Sequence, residues 1–129
     1  MRIKAQFKIA RAEMLNFNFD ISIKGITAIF GVSGCGKTSL LRAIAGLEKH
    51  PKSTLQVNDK VWQSENIFLS PHQRSVGFVF QEASLFEHLS VKGNIEYGFK
   101  RTPEQSRKIS LDKVISLLGL QSLLKRKPA

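Results

Sequence analysis

One short segment constrains the fold more than any other: the glycine-rich run Gly31-Val-Ser-Gly-Cys-Gly-Lys-Thr38. Its spacing fits G-x-x-x-x-G-K-[ST], the pattern of a phosphate-binding loop that lies between a strand and a helix. Both flanks agree. The near-continuous apolar run 26–30 precedes the loop and is typical of a strand covered on both faces, and apolar residues recur at helical spacing over 38–48. We therefore predict an α/β fold in which a buried strand, the loop and an amphipathic helix follow one another.

Each residue type in this loop has a physical role in holding a triphosphate. Glycines let backbone N–H groups turn inward where a β-carbon would block the phosphate oxygens, and the following helix directs its positive end to the same place. Lys37 would add a full charge near the β and γ phosphates, Thr38 would offer its hydroxyl to Mg²⁺, and Ser39 would donate to the α phosphate. The predicted nucleotide-binding residues are Gly31, Ser33, Gly34, Cys35, Gly36, Lys37, Thr38 and Ser39.

Periodicity predicts the elements around the loop. Apolar and polar residues alternate over 2–9 and 15–24, which predicts two strands in an antiparallel pair. A short hairpin is predicted over 55–62 around the turn-prone Asn58-Asp59. The apolar run 76–80 predicts a second buried strand.

Helices are predicted in the last third of the chain. Ser90 can cap a short helix over 91–97, and Thr102-Pro103 can start another. A third amphipathic helix over 111–118 is expected to end at Gly119. No internal repeat accompanies these elements.

Composition narrows the function classes. The chain has 129 residues and a net charge of +10, which invites a nucleic-acid interpretation. However, the last 30 residues hold eight Lys/Arg and two acidic residues without interleaved aromatics, so we interpret the excess as a solvated helix face and basic tail, with anionic headgroups as the open alternative. We expect no nucleic-acid partner. A single cysteine, no long apolar run and no secretory leader indicate a cytoplasmic location.

The motifs resemble those of ABC-transporter ATPase subunits. Phe30–Glu48 is similar to the first motif of that family, Arg74–Phe86 to its Q-loop strand and loop, and His88–Gly98 to the segment that follows. Within the family, the segments Gly25–Gly34 and Leu69–Arg74 look most like the ATP-binding subunit of molybdate importers. The resemblance runs from about residue 15 to the end of the chain.

The resemblance implies further roles. Gln81 would be the Q-loop glutamine, which reaches Mg²⁺ and the attacking water, although a polar strand end is the open alternative. An aromatic residue upstream of the loop stacks on adenine in this family. Simple spacing places Lys8 there with Phe7 beside it, but alternation alone already explains Phe7 as a core residue. The expected organisation is a nucleotide-binding core with an antiparallel β subdomain over 1–81 and the start of a helical subdomain over 82–129.

The same resemblance implies ATP and Mg²⁺ as cofactors and three kinds of partner or location. A membrane permease subunit would be gripped by the helical subdomain, a second ATPase subunit would form a homodimer, and the protein would lie at the cytoplasmic side of the membrane. Coupled uptake of an oxyanion, molybdate, would be the function.

The sequence also departs from the complete family pattern. Residues 123–129 resemble the stretch that leads into the Leu-Ser-Gly-Gly signature, but the 129 residues contain no signature, no apolar strand ending in Asp-Glu and no switch histidine. Asp20, Glu82 and Asp112 are unconvincing substitutes for the missing carboxylate. We expect an N-terminal part of such a subunit that hydrolyses little ATP alone. The alternatives are a small P-loop kinase or GTPase of another class, and a non-catalytic nucleotide-binding module.

Overall fold

The alternating segments at the start of the chain form a four-stranded antiparallel sheet. The computed structural model describes residues 1–10, 14–82 and 84–128. Strands β1 (Arg2–Ala10) and β2 (Met14–Ser22) pair antiparallel along their whole length, as their period-two patterns predict. Strands β3 (Thr54–Val57) and β4 (Lys60–Gln63) form the predicted hairpin around Asn58-Asp59. The strand order is β2-β1-β3-β4.

One face of the sheet is covered by helix α1 (Lys37–Ala45), which begins directly after the glycine-rich loop. The core between sheet and helix is apolar because each strand turns alternate side chains toward α1. Its buried members are Ile3, Ala5, Phe7 and Ile9 of β1, Leu40 and Ala43 of α1, Leu55 and Val57 of β3, and Trp62 of β4.

Two predicted buried strands are absent, and this corrects the expectation for 26–30 and 76–80. Neither run is a strand in the structure. Ile26 and Phe30 are fully exposed, and Val79 is 95% exposed. A strand needs a neighbour that pairs with its backbone N–H and C=O groups, and the sheet in the described residues contains only the four strands β1–β4. An apolar run signals burial only where a neighbouring strand is present.

The chain divides into two compact units, Met1–Val79 and Phe80–Ala129. The second contains helices α2 (Val91–Arg101) and α3 (Leu111–Leu117). Ser90 caps α2 as predicted, since its hydroxyl accepts from the Gly93 amide at 3.2 Å, and α3 ends just before Gly119, whose φ is +64°. The helix expected from Pro103 is only a 3₁₀ turn over Glu104–Ser106. A similar turn, Pro71–Gln73, occupies the expected loop at 71–74.

In the second unit, the end of the chain returns to α2. The Val91 amide donates to the Arg126 carbonyl at 2.8 Å and the Lys92 amide to the Leu124 carbonyl at 3.0 Å. These bonds satisfy two of the amides that the first turn of a helix leaves without a partner. Of the described residues, none belongs to a helix that is long and apolar enough to cross a bilayer.

Candidate functional site: the glycine-rich loop at the start of helix α1

The loop is built from backbone conformations that favour glycine. Gly34 and Gly36 have φ values of +81° and +90°, in the left-handed region that other residues reach only with strain. Gly36 is also the residue that precedes α1. The N-cap residue Gly36 makes no side-chain hydrogen bond to the first amides of α1, and the first turn of the helix contains no acidic residue. The positive end of the helix is therefore available to an anion from outside the helix.

Strand β2 supports the loop from below. A β-carbon added to Gly36 would lie 2.5 Å from Cδ1 of Leu15 and 3.2 Å from Cζ of Phe17. A residue with a β-carbon at this position would require the Leu15 side chain to shift. Packing against β2 thus sets the distance between the loop and the sheet at Gly36. This contact acts in addition to the left-handed backbone conformation that glycine permits.

Lys37 closes the loop on itself. Its ammonium group donates to the carbonyl oxygens of Gly31 at 2.9 Å and Val32 at 2.8 Å, and it lies 3.7 Å from Sγ of Cys35. Cys35 is packed close to Gly31, because a β-carbon on Gly31 would lie 2.7 Å from Sγ. The positive charge of Lys37 is held by neutral carbonyl groups, which it can exchange for the more strongly attracting oxygens of a phosphate.

The residues predicted from the sequence converge on one cavity. An open cavity of about 310 Å³ is lined by Ser33, Gly34 and the run from Gly36 to Ser39. Gly31 and Cys35 are not among the residues that line it, but both contact the ammonium group of Lys37. The lining residues carry backbone amides, one ammonium group and the hydroxyls of Ser33, Thr38 and Ser39, a set of donors suited to a polyphosphate.

The donor set also fits Mg²⁺ in a particular way. Thr38 presents an exposed hydroxyl at the start of α1. In the part of the chain that the structure describes, His, Cys, Asp and Glu form no group of three that would hold a metal ion by themselves. A magnesium ion that keeps most of its waters and shares phosphate oxygens needs only one or two protein ligands, so Thr38 is sufficient for its share.

The sequence predicts two further contacts with the nucleotide or its metal ion, by Gln81 and Phe7. Gln81 is exposed and belongs to the second unit, so its contact with Mg²⁺ and water stays a prediction. Phe7 is fully buried in the core under β1. A ring without an exposed face cannot stack on a nucleotide base, and this corrects the expectation that Phe7 contacts adenine.

The sequence reasoning missed a residue at the other end of α1. The guanidinium of Arg74 donates to the carbonyls of Ala43 at 2.9 Å and Ile44 at 2.7 Å, and its Nε donates to the Leu69 carbonyl at 2.8 Å. Arg74 is almost completely buried, which lowers its pKa, yet a guanidinium keeps its charge inside proteins. No motif in the printed sequence signals this role, since it joins residues about 30 positions apart.

Comparison with known proteins identifies the family. The family described as ABC transporter matches residues 14–129. "Molybdenum import ATP-binding protein ModC" of Pseudomonas syringae pv. tomato is 58% identical over 106 residues, which cover 81% of this chain and 29% of the relative. The protein of the same name in Rhodopseudomonas palustris is 51% identical over 128 residues, covering 98% and 34%. "Molybdenum import ATP-binding protein ModC 1" of Azotobacter vinelandii is 46% identical over 129 residues, covering 98% and 36%.

The chain spans about a third of the length of these curated relatives. The resemblance found in the sequence motifs is therefore confirmed, as is the fold class, part of a P-loop ATPase domain with an antiparallel sheet and a few helices. The loop, its cavity and the extent of the match support the same assignment: the chain belongs to the ABC transporter family.

Proposed function

We propose that this chain is the ATP-binding part of an ABC importer ATPase subunit that couples ATP hydrolysis to the uptake of molybdate. The observation that carries the proposal is the Lys37 ammonium, which lies against two loop carbonyls beside a cavity formed by the N-terminal residues of α1. ATP would replace those carbonyls with β- and γ-phosphate oxygens, and the amides of Gly34 and Gly36 would share the same oxygens.

The residues around Lys37 would each contact a different part of Mg-ATP. Thr38 would hold Mg²⁺ through its hydroxyl, Ser39 would donate to the α phosphate, and the Ser33 hydroxyl would border the γ phosphate. When bound, Mg²⁺ neutralises charge that develops between the phosphates. Gln81 would position the attacking water.

Hydrolysis also requires a carboxylate that orients water, and the printed sequence contains no Asp-Glu motif after an apolar strand. We therefore assign these 129 residues to binding, with little hydrolysis by themselves. In this respect the proposal differs from a small kinase or GTPase, which would carry out its reaction without further residues.

Molybdate as substrate rests on the relatives, each named for molybdenum import. The permease subunit would contact the second unit, at the cytoplasmic side of the membrane. That unit exposes Leu85, Phe86 and Tyr97, and the rings of Phe86 and Tyr97 lie 4.5 Å apart. Exposed clustered aromatic side chains are typical of protein interfaces. A second ATPase subunit would complete the family's homodimer.

Nucleotide binding tests the proposal directly. In the protein at its natural length, Lys37→Ala should weaken Mg-ATP binding at least tenfold, measured by calorimetry, because one full charge on the phosphates is lost. Lys113→Ala, an exposed lysine of α3, is the matched control and should bind as the wild type does. Equal affinities for the two variants, or a preference for GTP, would contradict the proposal.

Transport tests the substrate. Cells that depend on this protein for molybdate import should lose uptake of labelled molybdate when they carry Lys37→Ala, and keep it with Lys113→Ala. Uptake of sulfate in place of molybdate would retain the ATPase assignment and overturn the assignment of the substrate.

A further inference from the structure

We infer that Arg74 is a positioning residue for the phosphate loop, acting through helix α1 on the nucleotide site at its far end. This inference rests on the proposed function, since it concerns ATP binding at that loop. In the described part of the chain, the side-chain hydrogen bonds of Arg74 go to Ala43, Ile44 and Leu69, all outside the loop. Arg74 holds the C-terminus of the helix whose N-terminus the loop forms.

The contacts of Arg74 leave its guanidinium in one place. Three hydrogen bonds reach the carbonyls of Ala43, Ile44 and Leu69. The same group lies 5.7 Å from the ring of Trp62 and 5.0 Å from the ring of Phe68. In the described part of the chain, no acidic side chain pairs with it and Nη2 has no hydrogen-bond partner. The negative end of α1 is therefore what stabilises this buried charge.

The geometry at Gly46 shows how closely the arginine meets the helix. A β-carbon on Gly46 would lie 2.6 Å from Nε and 2.6 Å from Cζ of Arg74. Gly46 ends α1 with a φ of +79°, and the Leu47 amide closes the last turn on the Arg42 carbonyl at 2.9 Å. The guanidinium thus occupies the space beside the final turn that any other residue at 46 would fill.

Helix α1 connects the two ends. Nine residues rise about 13 Å along a helix, as one rigid hydrogen-bonded element. At its N-terminus Gly36 rests on Leu15, and at its C-terminus Gly46 rests on Arg74. Trp62 belongs to β4, and Leu69 belongs to the segment after β4. Arg74 therefore links the C-terminus of α1 to the edge of the sheet opposite β2. Two separated supports fix the tilt of a rod, and the tilt of α1 sets where the amides of Gly36, Lys37 and Thr38 point.

The chemistry at this position is specific to arginine. Its planar fork donates to three carbonyls and presents a flat face to the two rings. A lysine would keep the charge but supply a point donor that can satisfy fewer carbonyls in this arrangement. Arg74→Lys should therefore loosen the far end of α1 while leaving the core apolar residues in place.

The experiment compares ATP affinity with stability in the protein at its natural length. Arg74→Lys should weaken Mg-ATP binding roughly three- to tenfold, measured well below the unfolding temperature, because a support distant from a ligand changes its affinity to about this extent. The control is Val57→Ala, a buried core residue of β3. It should lower the unfolding temperature and leave ATP affinity within twofold of the wild type. Equal affinities for Arg74→Lys and the wild type would overturn the inference.

A wild-type measurement applies even if the variant does not fold. Coupling between two sites is reciprocal, so saturating Mg-ATP should slow hydrogen exchange of the Arg74 Nε–H at least twofold, observed by NMR. Arg107 is the matched control in the other unit: its Nε donates to the Thr102 carbonyl at 3.0 Å and its guanidinium lies 4.6 Å from the Phe99 ring. Exchange at Arg107 should not change, and an unchanged rate at Arg74 would overturn the inference.

The two proposals fail separately. If the wild type does not bind ATP, or if Lys37→Ala binds as tightly as the wild type, the proposed function fails. Suppose instead that Lys37→Ala loses ATP binding, Arg74→Lys binds ATP as the wild type does, and ATP leaves the hydrogen-exchange rate of the Arg74 Nε–H unchanged. Only the positioning role of Arg74 is then wrong.

Discussion

Gly36 and Leu15 approach each other so closely that a single β-carbon would not fit between them: the added atom would lie 2.5 Å from Cδ1 of Leu15. The contact joins the residue that precedes helix α1 to the edge strand β2. A second loop glycine, Gly34, has a similar positive φ but open space around its Cα. A comparison of Gly34 with Gly36 therefore separates the energetic cost of backbone strain from the cost of steric contact.

Replacing each of these glycines by alanine should therefore give different losses. Gly34→Ala should lower the free energy of unfolding by about 1 kcal/mol, because only the left-handed backbone is strained. Gly36→Ala should cost about 2–3 kcal/mol, because Leu15 must also move. Denaturant unfolding measures both. Equal losses would show that Leu15 yields freely and that β2 does not support the loop.

Cys35 provides a chemical probe of the same loop. Its Sγ lies 3.7 Å from the Lys37 ammonium and packs against Gly31, so an alkyl group on sulfur would displace one of them. We expect alkylation by N-ethylmaleimide to reduce ATP affinity at least tenfold and Mg-ATP to slow the reaction about tenfold. Mass spectrometry follows the reaction, and Cys35→Ser, which should still bind ATP, controls for modification elsewhere. Identical alkylation rates with and without Mg-ATP would count against nucleotide in this loop.

The parts of the fold that sequence could predict are those governed by neighbours along the chain. The alternation in 2–9 sets which side chains of β1 face the core, whatever lies opposite. Ser90 caps α2 through a bond to an amide three residues away. The phosphate loop is likewise contiguous, so its residues can be identified from the sequence alone.

Other features depend on partners that are distant in sequence. The run 26–30 has the composition of a buried strand, yet composition does not supply the neighbouring strand that would bury it, and Phe30 is fully exposed. In the sequence, nothing distinguishes Arg74 from the other basic residues of the chain. Its role emerges only from carbonyls 30 positions earlier. Phe7 shows the converse, since alternation alone placed it correctly in the core.

Asn94 should be a stability determinant of the second unit. Its side-chain amide bridges the segment before α2: Oδ1 accepts from the Phe86 amide at 2.8 Å, and Nδ2 donates to the carbonyls of Phe86 at 3.1 Å and Ser90 at 3.0 Å. Asn94→Ala leaves these groups to find other partners and should cost about 2–3 kcal/mol of unfolding free energy. Denaturant unfolding measures the loss. Gln105→Ala, an exposed amide in a 3₁₀ turn, should change the free energy by less than about 0.5 kcal/mol. Similar values for the two variants would mean that Asn94 does not hold this segment.

The ion pair between β1 and β2 predicts a specific dependence of stability on pH. Arg2 donates to both carboxylate oxygens of Asp20 at 2.7 Å, and these hydrogen bonds lower the pKa of Asp20 below its ordinary value of 3.8. A carboxyl group whose pKa is lower in the folded state binds protons more weakly there than in the unfolded chain. Its stabilising effect is therefore fully present above pH 3.8 and is lost as the pH falls through the lower folded value. Asp20→Asn should reduce the unfolding temperature slightly at pH 7, and the difference from the wild type should disappear as the pH falls below the folded-state pKa of Asp20, which lies under 3.8. Since the pair is exposed, 1 M salt should also shrink the difference.

Thermal unfolding followed by circular dichroism measures this difference in unfolding temperature, with Arg2→Gln as the second single variant of a double-mutant cycle. A difference that persists unchanged at low pH would show that Asp20 acts through packing or register and not through its charge.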